Sequence, residues 1–574
     1  MDPVPEALNS FAVAHPSRIE IDGWLSHVMG DVASGGPTAE EMRSSLSWRV
    51  TAPLRRLRAR ERLNALRAGR MRLSNPLTHG EARLHDARHR LRERLAQIVP
   101  LLVADHSFDL STLSLEQLLG LVTHQVRSTR SNAELWLIVV AVSGCFPDQA
   151  QLLGLARDLR GTDDRDAAMR ILAHSGVWTA RHHSQHRQIE VVTDVAVAYV
   201  DFSARSGFNS GVQRVTRETL KRWPLDSVRL VALTDDGVAL RGLEPEEHTR
   251  VIDWNEEKRL EKSDFDDADL ALVVPWKTTV FLPEIPNGSG AEMLATLARF
   301  SSNTTTAIVY DMIPSTSGSL VHRLESLRFV NYLSMLKHFD TAVAISHSAA
   351  AEFGSFSASL LPQGLPGPRI EAVPLPIEHI PGLEGVAETS HALPLVLTVG
   401  SNEERKNQLA VVYAAEILWR EGAQFRLMVV GGHGDLHYTA VADAVSSLSS
   451  QGRPIQLRRD IDEAGLASAY RSARFSVLAS FHEGYGLPVA ESLAVGTPVA
   501  ATGYGSVLEI IEGGGCLAID PRDDDSIVDA MRQLLDDEVL TRLEREIDAR
   551  HDTTWNDYAQ HILAAVRQST KGSR

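Results

Sequence analysis

The chain has 574 residues, with 58 lysines and arginines against 74 aspartates and glutamates, a formal net charge of −16. That acidic balance excludes the basic footprint of a nucleic-acid-binding protein, and the length excludes a single hydrophobic core, so about three domains are expected. Hydrophobic residues make up 43%, as in ordinary globular proteins, and two cysteines, Cys145 and Cys516, are too few for a disulfide framework and suit a reducing compartment.

The N-terminal stretch "MDPVPEALNSFAVAHP" lacks the basic and apolar regions of a signal peptide. The longest apolar run, Leu135–Val142, is too short to span a bilayer. A cytoplasmic protein is expected, with docking at the inner face of a membrane left open. Residues 1–190 read as a helical domain. "EARLHDARHRLRERLAQIV" places Leu84, Leu91, Leu95 and Ile98 on one helical face, and "SLEQLLGLVTHQV" and "AELWLIVVAVSGC" read as two more helices. Arg55–Arg72 holds eight arginines and one glutamate. It fits either a solvated helix face or a contact to acidic lipid headgroups or a polyanionic carrier.

Near residue 190 the texture changes. "IEVVTDVAVAYVDFS" reads as a buried strand. Short apolar runs then alternate with helical segments: "VRLVAL", "LALVVP", "TAIVYD", "TAVAIS", "LPLVLTVGS", "FRLMVVGG", "FSVLAS" and "PVAAT". Such alternation predicts parallel sheets with crossover helices. A stretch rich in proline and glycine divides it, giving α/β domains at 191–375 and 391–552 joined by a linker at 376–390, and a final helix and tail at 553–574. Ligands in such folds sit at the carboxyl ends of the strands, here in the cleft between two facing sheets.

Two stretches carry chemistry. In "FHEGYGLPVAESLAVG" a strand ends near Ser480 and a helix follows, so Glu483 lies on the connecting loop and Glu491 about one turn into the helix. The turn Gly484–Pro488 offers backbone amides at a helix N-terminus, suited to phosphate or sugar hydroxyls. Read alone, it is equally a capped helix with exposed glutamates. In "LTVGSNEERKNQLAVVYA", Arg405 and Lys406 stand at or near a helix start. Cations are unfavourable there unless an anion accompanies them; a diphosphate would, and the same groups would stabilise it as a leaving group. Asp266–Asp269 contains a D-x-D, but acidic doublets recur along the chain and no metal is expected.

With "EGYGLPVAES" preceded by "VGSNEERKN", the chain resembles the family 4 retaining glycosyltransferases of GT-B fold. "DFSARSGFNSGVQRVTRETL", "IVYDMIP" and "AISHSAAAEF" agree in order, so the resemblance covers about 191–560. It implies an α/β protein of two facing Rossmann-like doubly wound domains, here with an all-α N-terminal extension. It implies that Glu491 binds the donor's ribose hydroxyls, that Glu483 and Gly484, Tyr485, Gly486 and Leu487 hold the transferred sugar, and that Lys406 with Arg405 neutralises the diphosphate. Gly211 would approach the donor phosphate, Asp311 would lie near the acceptor, and Gly431 and Gly432 would close the loop beside the nucleobase. Two positions depart from the family pattern. Ser401 stands where many members have arginine, so Arg405 takes over that charge or one cation is lost. Tyr310 stands in place of a histidine, its hydroxyl a substitute contact to the sugar.

The resemblance further implies sugar transfer with retention from a nucleoside diphosphate sugar, GDP-mannose being favoured, to a glycan or lipid-linked glycan in bacterial surface polysaccharide synthesis. The nucleotide sugar is a co-substrate and no cofactor is expected. A same-fold epimerase or phosphorylase, and a non-catalytic nucleotide-sugar-binding assembly protein, are the alternatives. A homo-oligomer stays open.

Overall fold

The computed structural model describes residues 14–34, 76–104, 109–207, 209–254, 270–286, 288–378, 393–431, 439–459 and 461–571. The basic segment Arg55–Arg72, the Asp266–Asp269 run, Gly432 and most of the 376–390 linker lie outside the described residues.

The N-terminal segment folds as helices α1 (Arg18–Ser34), α2 (Pro76–Leu102), α3 (Leu115–Thr129), α4 (Asn132–Ser143), α5 (Gln149–Asp158) and α6 (Asp164–His182). Local chemistry fixes their starts: Ser114 with Gln117 forms a capping box on α3, Asp148 with Gln151 forms one on α5, and Ser131 caps α4. The apolar run Leu135–Val142 is α4, buried along its length. Leu91, Leu95 and Ile98 are fully buried on α2, as their spacing predicts.

A nine-stranded sheet follows, built from β1 (Ile189–Val192), β2 (Ala196–Tyr199), β3 (Val228–Leu233), β4 (Leu240–Gly242), β5 (Leu272–Pro275), β6 (Thr279–Leu282), β7 (Thr304–Val309), β8 (Thr341–Ala344) and β9 (Arg369–Ala372), in the order β1-β5-β4-β3-β2-β6-β7-β8-β9. β4 alone pairs antiparallel with its neighbours. The run "IEVVTDVAVAYVDFS" is two strands, not one. Exposed Thr193 and Asp194 interrupt it, sending β1 to the sheet edge beside β5 while β2 sits at the centre.

The second sheet has six parallel strands, β10 (Leu395–Val399), β11 (Arg426–Val430), β12 (Ile455–Arg458), β13 (Ala473–Leu478), β14 (Val499–Thr502) and β15 (Cys516–Ile519), in the order β12-β11-β10-β13-β14-β15. The helices that bear on the cleft are α7 (Gly211–Leu220), α8 (His347–Leu360), α9 (Gln408–Arg420), α10 (Glu463–Ser472) and α11 (Leu487–Ala494). The last helix, α12 (Trp555–Lys571), returns to the first sheet, where Trp223 Nε1 donates to the Ala559 carbonyl at 2.9 Å and Thr279 Oγ1 to that of Val566 at 3.3 Å. Two Rossmann-like sheets facing across a cleft form the GT-B fold.

Helices α1–α6 share one apolar core with a face of the first sheet, running from Ile21 and Trp136 to Val274 and Leu294. Arg94 ties the two together. Only 2% exposed, it donates from α2 to the carbonyls of Ala141 at 2.6 Å, Val142 at 3.1 Å, Gln185 at 3.3 Å and Arg187 at 2.8 Å, just before β1 begins. Arg94→Ala strands these buried acceptors, each worth about 1–3 kcal/mol when unsatisfied. We expect a total loss of about 3 kcal/mol or more by urea denaturation, with Arg94→Lys recovering only part because an ammonium lacks the planar fork. A variant as stable as the wild type would remove Arg94 from this role.

Candidate active site

The cleft lies at the carboxyl ends of the parallel strands of both sheets and has a volume of about 1550 Å³. The wall formed by the second sheet begins where β13 ends. The chain turns through Glu483–Gly486, with Gly486 at φ 110°, and enters α11 with Pro488 in its first turn. Only glycine adopts that φ freely. Within α11, Pro488 has no N–H and the Val489 and Ala490 amides donate to the Gly486 carbonyl at 2.9 and 3.2 Å, so the amides beside the cleft are those of the turn, Gly484 to Leu487. Ser506 Oγ and Ser346 Oγ hold the turn by donating to the carbonyls of Glu483 and Gly484, each at 2.8 Å. A Cβ on Gly484 would stand 2.7 Å from the Tyr310 carbonyl and 3.0 Å from Asp311 Cβ. The opposing domain therefore packs directly on this glycine.

Glu483 is the centre of a buried ion cluster. Its side chain is 9% exposed; Oε1 accepts from Lys406 Nζ at 2.6 Å and Oε2 lies 3.4 Å from Arg405. Burial by itself raises the carboxyl, but Lys406 and Arg405 outweigh it and hold it at about 2. Both cations come from the single 3-10 turn Glu404–Lys406, just before α9. Arg405 is largely spent on structure, donating to the His482 carbonyl at 2.6 Å and to Glu403 at 3.2 Å. Lys406 uses one of its three donors on Glu483.

Glu491 projects from α11 into the same cleft, where Arg214 of α7 pairs with Oε1 and the Tyr470 hydroxyl donates to Oε2 at 3.0 Å. Asp311 sits opposite the glycine turn and accepts from the Ile313 amide at 3.1 Å. Burial pushes its carboxyl above the usual range, more than offsetting the nearby Arg405. His482 bridges the domains, with Nε2 3.0 Å from Glu352 and Nδ1 2.9 Å from Ser317 Oγ. The Glu352 carboxylate holds its imidazole above the usual histidine range, against the effect of burial.

Several other anticipated residues border the cleft in supporting positions. The hydroxyl of buried Tyr310 donates to the Pro283 carbonyl at 2.5 Å, so it is committed to backbone rather than standing free as a histidine substitute. Tyr485 likewise is buried, its hydroxyl donating to the Leu375 carbonyl at 2.6 Å. Ser401 Oγ donates to Glu403 at 2.6 Å. Gly211 opens α7 against Leu487, where an added Cβ would meet Leu487 Cδ1 at 2.9 Å. Gly431 has no room for a side chain, since a Cβ would lie 2.5 Å from the Gly400 carbonyl. Arg214, Glu463 and Asn209 complete the wall, with buried Tyr470 behind Glu491, and none of the four is singled out by the sequence. Arg214 stood three residues past Gly211 in "NSGVQR", but an arginine on a helix reads as a solvated cation until its partner across the cleft is known.

Residues 393–537 match the family described as "Glycosyl transferases group 1". This segment is a group 1 glycosyltransferase domain. It is similar to O-antigen chain mannosyltransferase B of Escherichia coli, at 29% identity over 142 residues, covering 25% of this chain and 37% of that protein. The chain is also similar to a D-inositol 3-phosphate glycosyltransferase of Acidothermus cellulolyticus, at 29% identity over 229 residues, covering 35% of this chain and 48% of that one. The matches thus span less than half the length of either relative. Among solved structures, the sucrose-phosphate synthase from Thermosynechococcus elongatus superposes with a TM-score of 0.46 and 15% identity, covering 66% of this chain and 99% of that one. Anabaena HepE in complex with UDP and glucose superposes with a TM-score of 0.45 and 12% identity, covering 65% and 100%.

The Glu483 carboxyl falls from its ordinary 4.5 to about 2 on folding. A depressed carboxylate stabilises the fold above its unfolded value, and that contribution is lost as pH falls through the folded value. The shift corresponds to about 3 kcal/mol. Wild-type protein is expected to lose this increment between pH 4.5 and about 2, and Glu483→Gln to show a flatter acid limb in denaturant titrations across that window. Identical limbs would mean that the cluster contributes no pH-dependent stability.

Proposed function

We propose that the protein is a family 4 glycosyltransferase that moves a hexosyl group from a nucleoside diphosphate sugar to a hydroxyl of a glycan or lipid-linked glycan, with retention of configuration. The observation that carries this reading is the convergence of Glu483, Lys406 and Glu491 with the amide turn Gly484–Leu487 on one interdomain cleft. A nucleotide sugar needs an anion site, acceptors for a ribose diol and acceptors for sugar hydroxyls, and this set supplies all three. Lys406, with donors to spare, faces the diphosphate. Glu491 takes the diol, and Glu483 and the turn hold the sugar. As the anomeric carbon–oxygen bond breaks, charge grows on the departing diphosphate. Lys406 and the turn amides of Gly484 to Leu487 are in place for it beforehand, which is electrostatic preorganisation. The acceptor oxygen bonds the anomeric carbon on the face the diphosphate leaves, and its proton passes to a departing phosphate oxygen. Asp311, on the acceptor-side wall, borders that route.

The mannosyltransferases among the relatives favour a GDP-mannose donor and a role in bacterial cell-surface polysaccharide synthesis. No helix among the described residues is long and apolar enough to cross a membrane. A lipid-linked acceptor would then be met at a membrane surface, with Arg55–Arg72 as the contact.

A ligand that binds only the folded state raises its melting temperature, so a thermal-shift screen across nucleotide sugars identifies the donor, with GDP-mannose expected to give the largest shift. With that donor, Lys406→Ala and Glu491→Ala are each expected to lower transfer by about 100-fold or more, the range found when preorganised charge stabilisation is removed. Near wild-type turnover with a saturable donor in either variant would overturn the assignment of the donor pocket.

A further inference from the structure

Arg214 belongs to the acceptor-side domain, yet its ion-pair partner is Glu491 of the donor domain. It lies one turn into α7, on the same face as Gly211, and that face abuts α11 where Gly211 meets Leu487. Both side chains of the pair are 16% exposed. Glu463, at the start of α10, stands 3.8 Å from Arg214 and accepts from Asn209 Nδ2 at 2.7 Å, a second polar tie between the same two domains. On its own side Arg217, one turn further along α7, donates to the Arg250 carbonyl at 3.0 Å and to Asn209 Oδ1 at 2.7 Å, fixing the loop that leads into α7. Burial disfavours charge on Arg214, and Glu491 and Glu463 more than compensate, so the guanidinium is more basic than usual.

A carboxylate offers about four lone-pair sites, two on each oxygen. Arg214 occupies one on Oε1 and Tyr470 one on Oε2. One site remains on each oxygen, and a vicinal diol has two hydroxyl donors to fill them. Tyr470 shares the donor domain with Glu491 and stays with it when the domains separate; Arg214 does not.

We propose that Arg214 is a positioning residue that reaches across the cleft to orient Glu491 for the ribose diol of the donor, so that the diol site is complete only when the two domains are closed. This rests on the reading of Glu491 given above, and a comparison of ligands with and without the diol separates the two. Guanosine, uridine and adenosine diphosphates and their 2′,3′-dideoxy counterparts are titrated calorimetrically against the full chain, first wild type and then Arg214→Ala. Wild type is expected to prefer the best-bound ribose form over its dideoxy partner by about 10-fold or more, the size of a charge-assisted contact. Arg214→Ala is expected to bring that ratio to about 2-fold or less. A merely structural loss would weaken both forms alike and leave the ratio unchanged, which would overturn the proposal while the diol reading stood. A wild-type ratio near one would overturn both. If Arg214→Ala does not fold, Arg214→Lys carries the same comparison. It keeps the charge without the planar fork, and its ratio is expected to fall between the two, whereas a full wild-type ratio would count against orientation by the guanidinium.

Discussion

The half of the cleft built on the second sheet depends on one buried carboxylate. An ionised glutamate out of water costs several kcal/mol unless it is paired and hydrogen-bonded, and Glu483 meets that requirement with two cations from one short turn. The pairing fixes more than charge. The Phe481 amide donates to the Arg405 carbonyl at 2.9 Å, so the loops that follow β10 and β13 are locked to each other. These strands are neighbours, and the strand order reverses at β10, with β11 and β12 on one side and β13 to β15 on the other. That is where an open parallel sheet leaves a crevice between the loops that diverge to its two faces. The ion cluster and the glycine turn Gly484–Leu487 line that crevice together.

The first-sheet domain is held against this unit by contacts of two kinds. An apolar core runs without a break from Ile308 and Ile345 through Tyr485, Val489 and Val507 to Tyr558 and Ile562 of α12. Around it lie polar contacts that need specific geometry. His482 bonds Glu352, and Glu509 accepts from the His347 and Ser348 amides at the start of α8, at 2.9 and 2.7 Å. That second contact satisfies helix-terminal donors and places negative charge at the positive end of the helix dipole. Gly484 brings the backbones of the two halves together where any side chain would force them apart. Asp311, across from that glycine, has its carboxyl pushed above the usual range by burial although Arg405 is near.

How much of this could be read from the sequence follows from the range of the interactions. The strands flanking the cleft, β7, β8, β10, β11, β13 and β14, are local apolar runs bounded by turn residues, and the sequence discloses them directly. Glu483 and Glu491 stand out in the sequence because they flank one strand-to-helix turn, and Arg405 and Lys406 because they stand at another; that Lys406 pairs with Glu483, 77 positions away, is not a local pattern. What was hidden is long-range. β1 separates from β2 because of two exposed polar residues, and its partner β5 lies some eighty residues away. The commitment of the Tyr310 and Tyr485 hydroxyls to backbone carbonyls depends on Pro283 and Leu375, which no periodicity identifies. Arg214 and Glu491 are 277 positions apart, and nothing near either residue marks the other as its partner.

The helical N-terminal segment follows the same logic in reverse. Its helices are plain in the sequence, but their bearing on function is set by a core they do not own. α1 to α6 share an apolar cluster with one face of the nine-stranded sheet, in which Trp136, Leu172 and Val273 belong with Val309 and Ala344, at the carboxyl ends of β7 and β8. Those strands deliver Asp311 and Ser346 to the cleft. Interiors are packed as densely as organic crystals and transmit displacement rather than absorbing it, so a shift in this helical layer is felt where Ser346 holds the Gly484 carbonyl. The layer is therefore part of the scaffold that sets the first-sheet wall of the cleft, whatever else its outer surface meets.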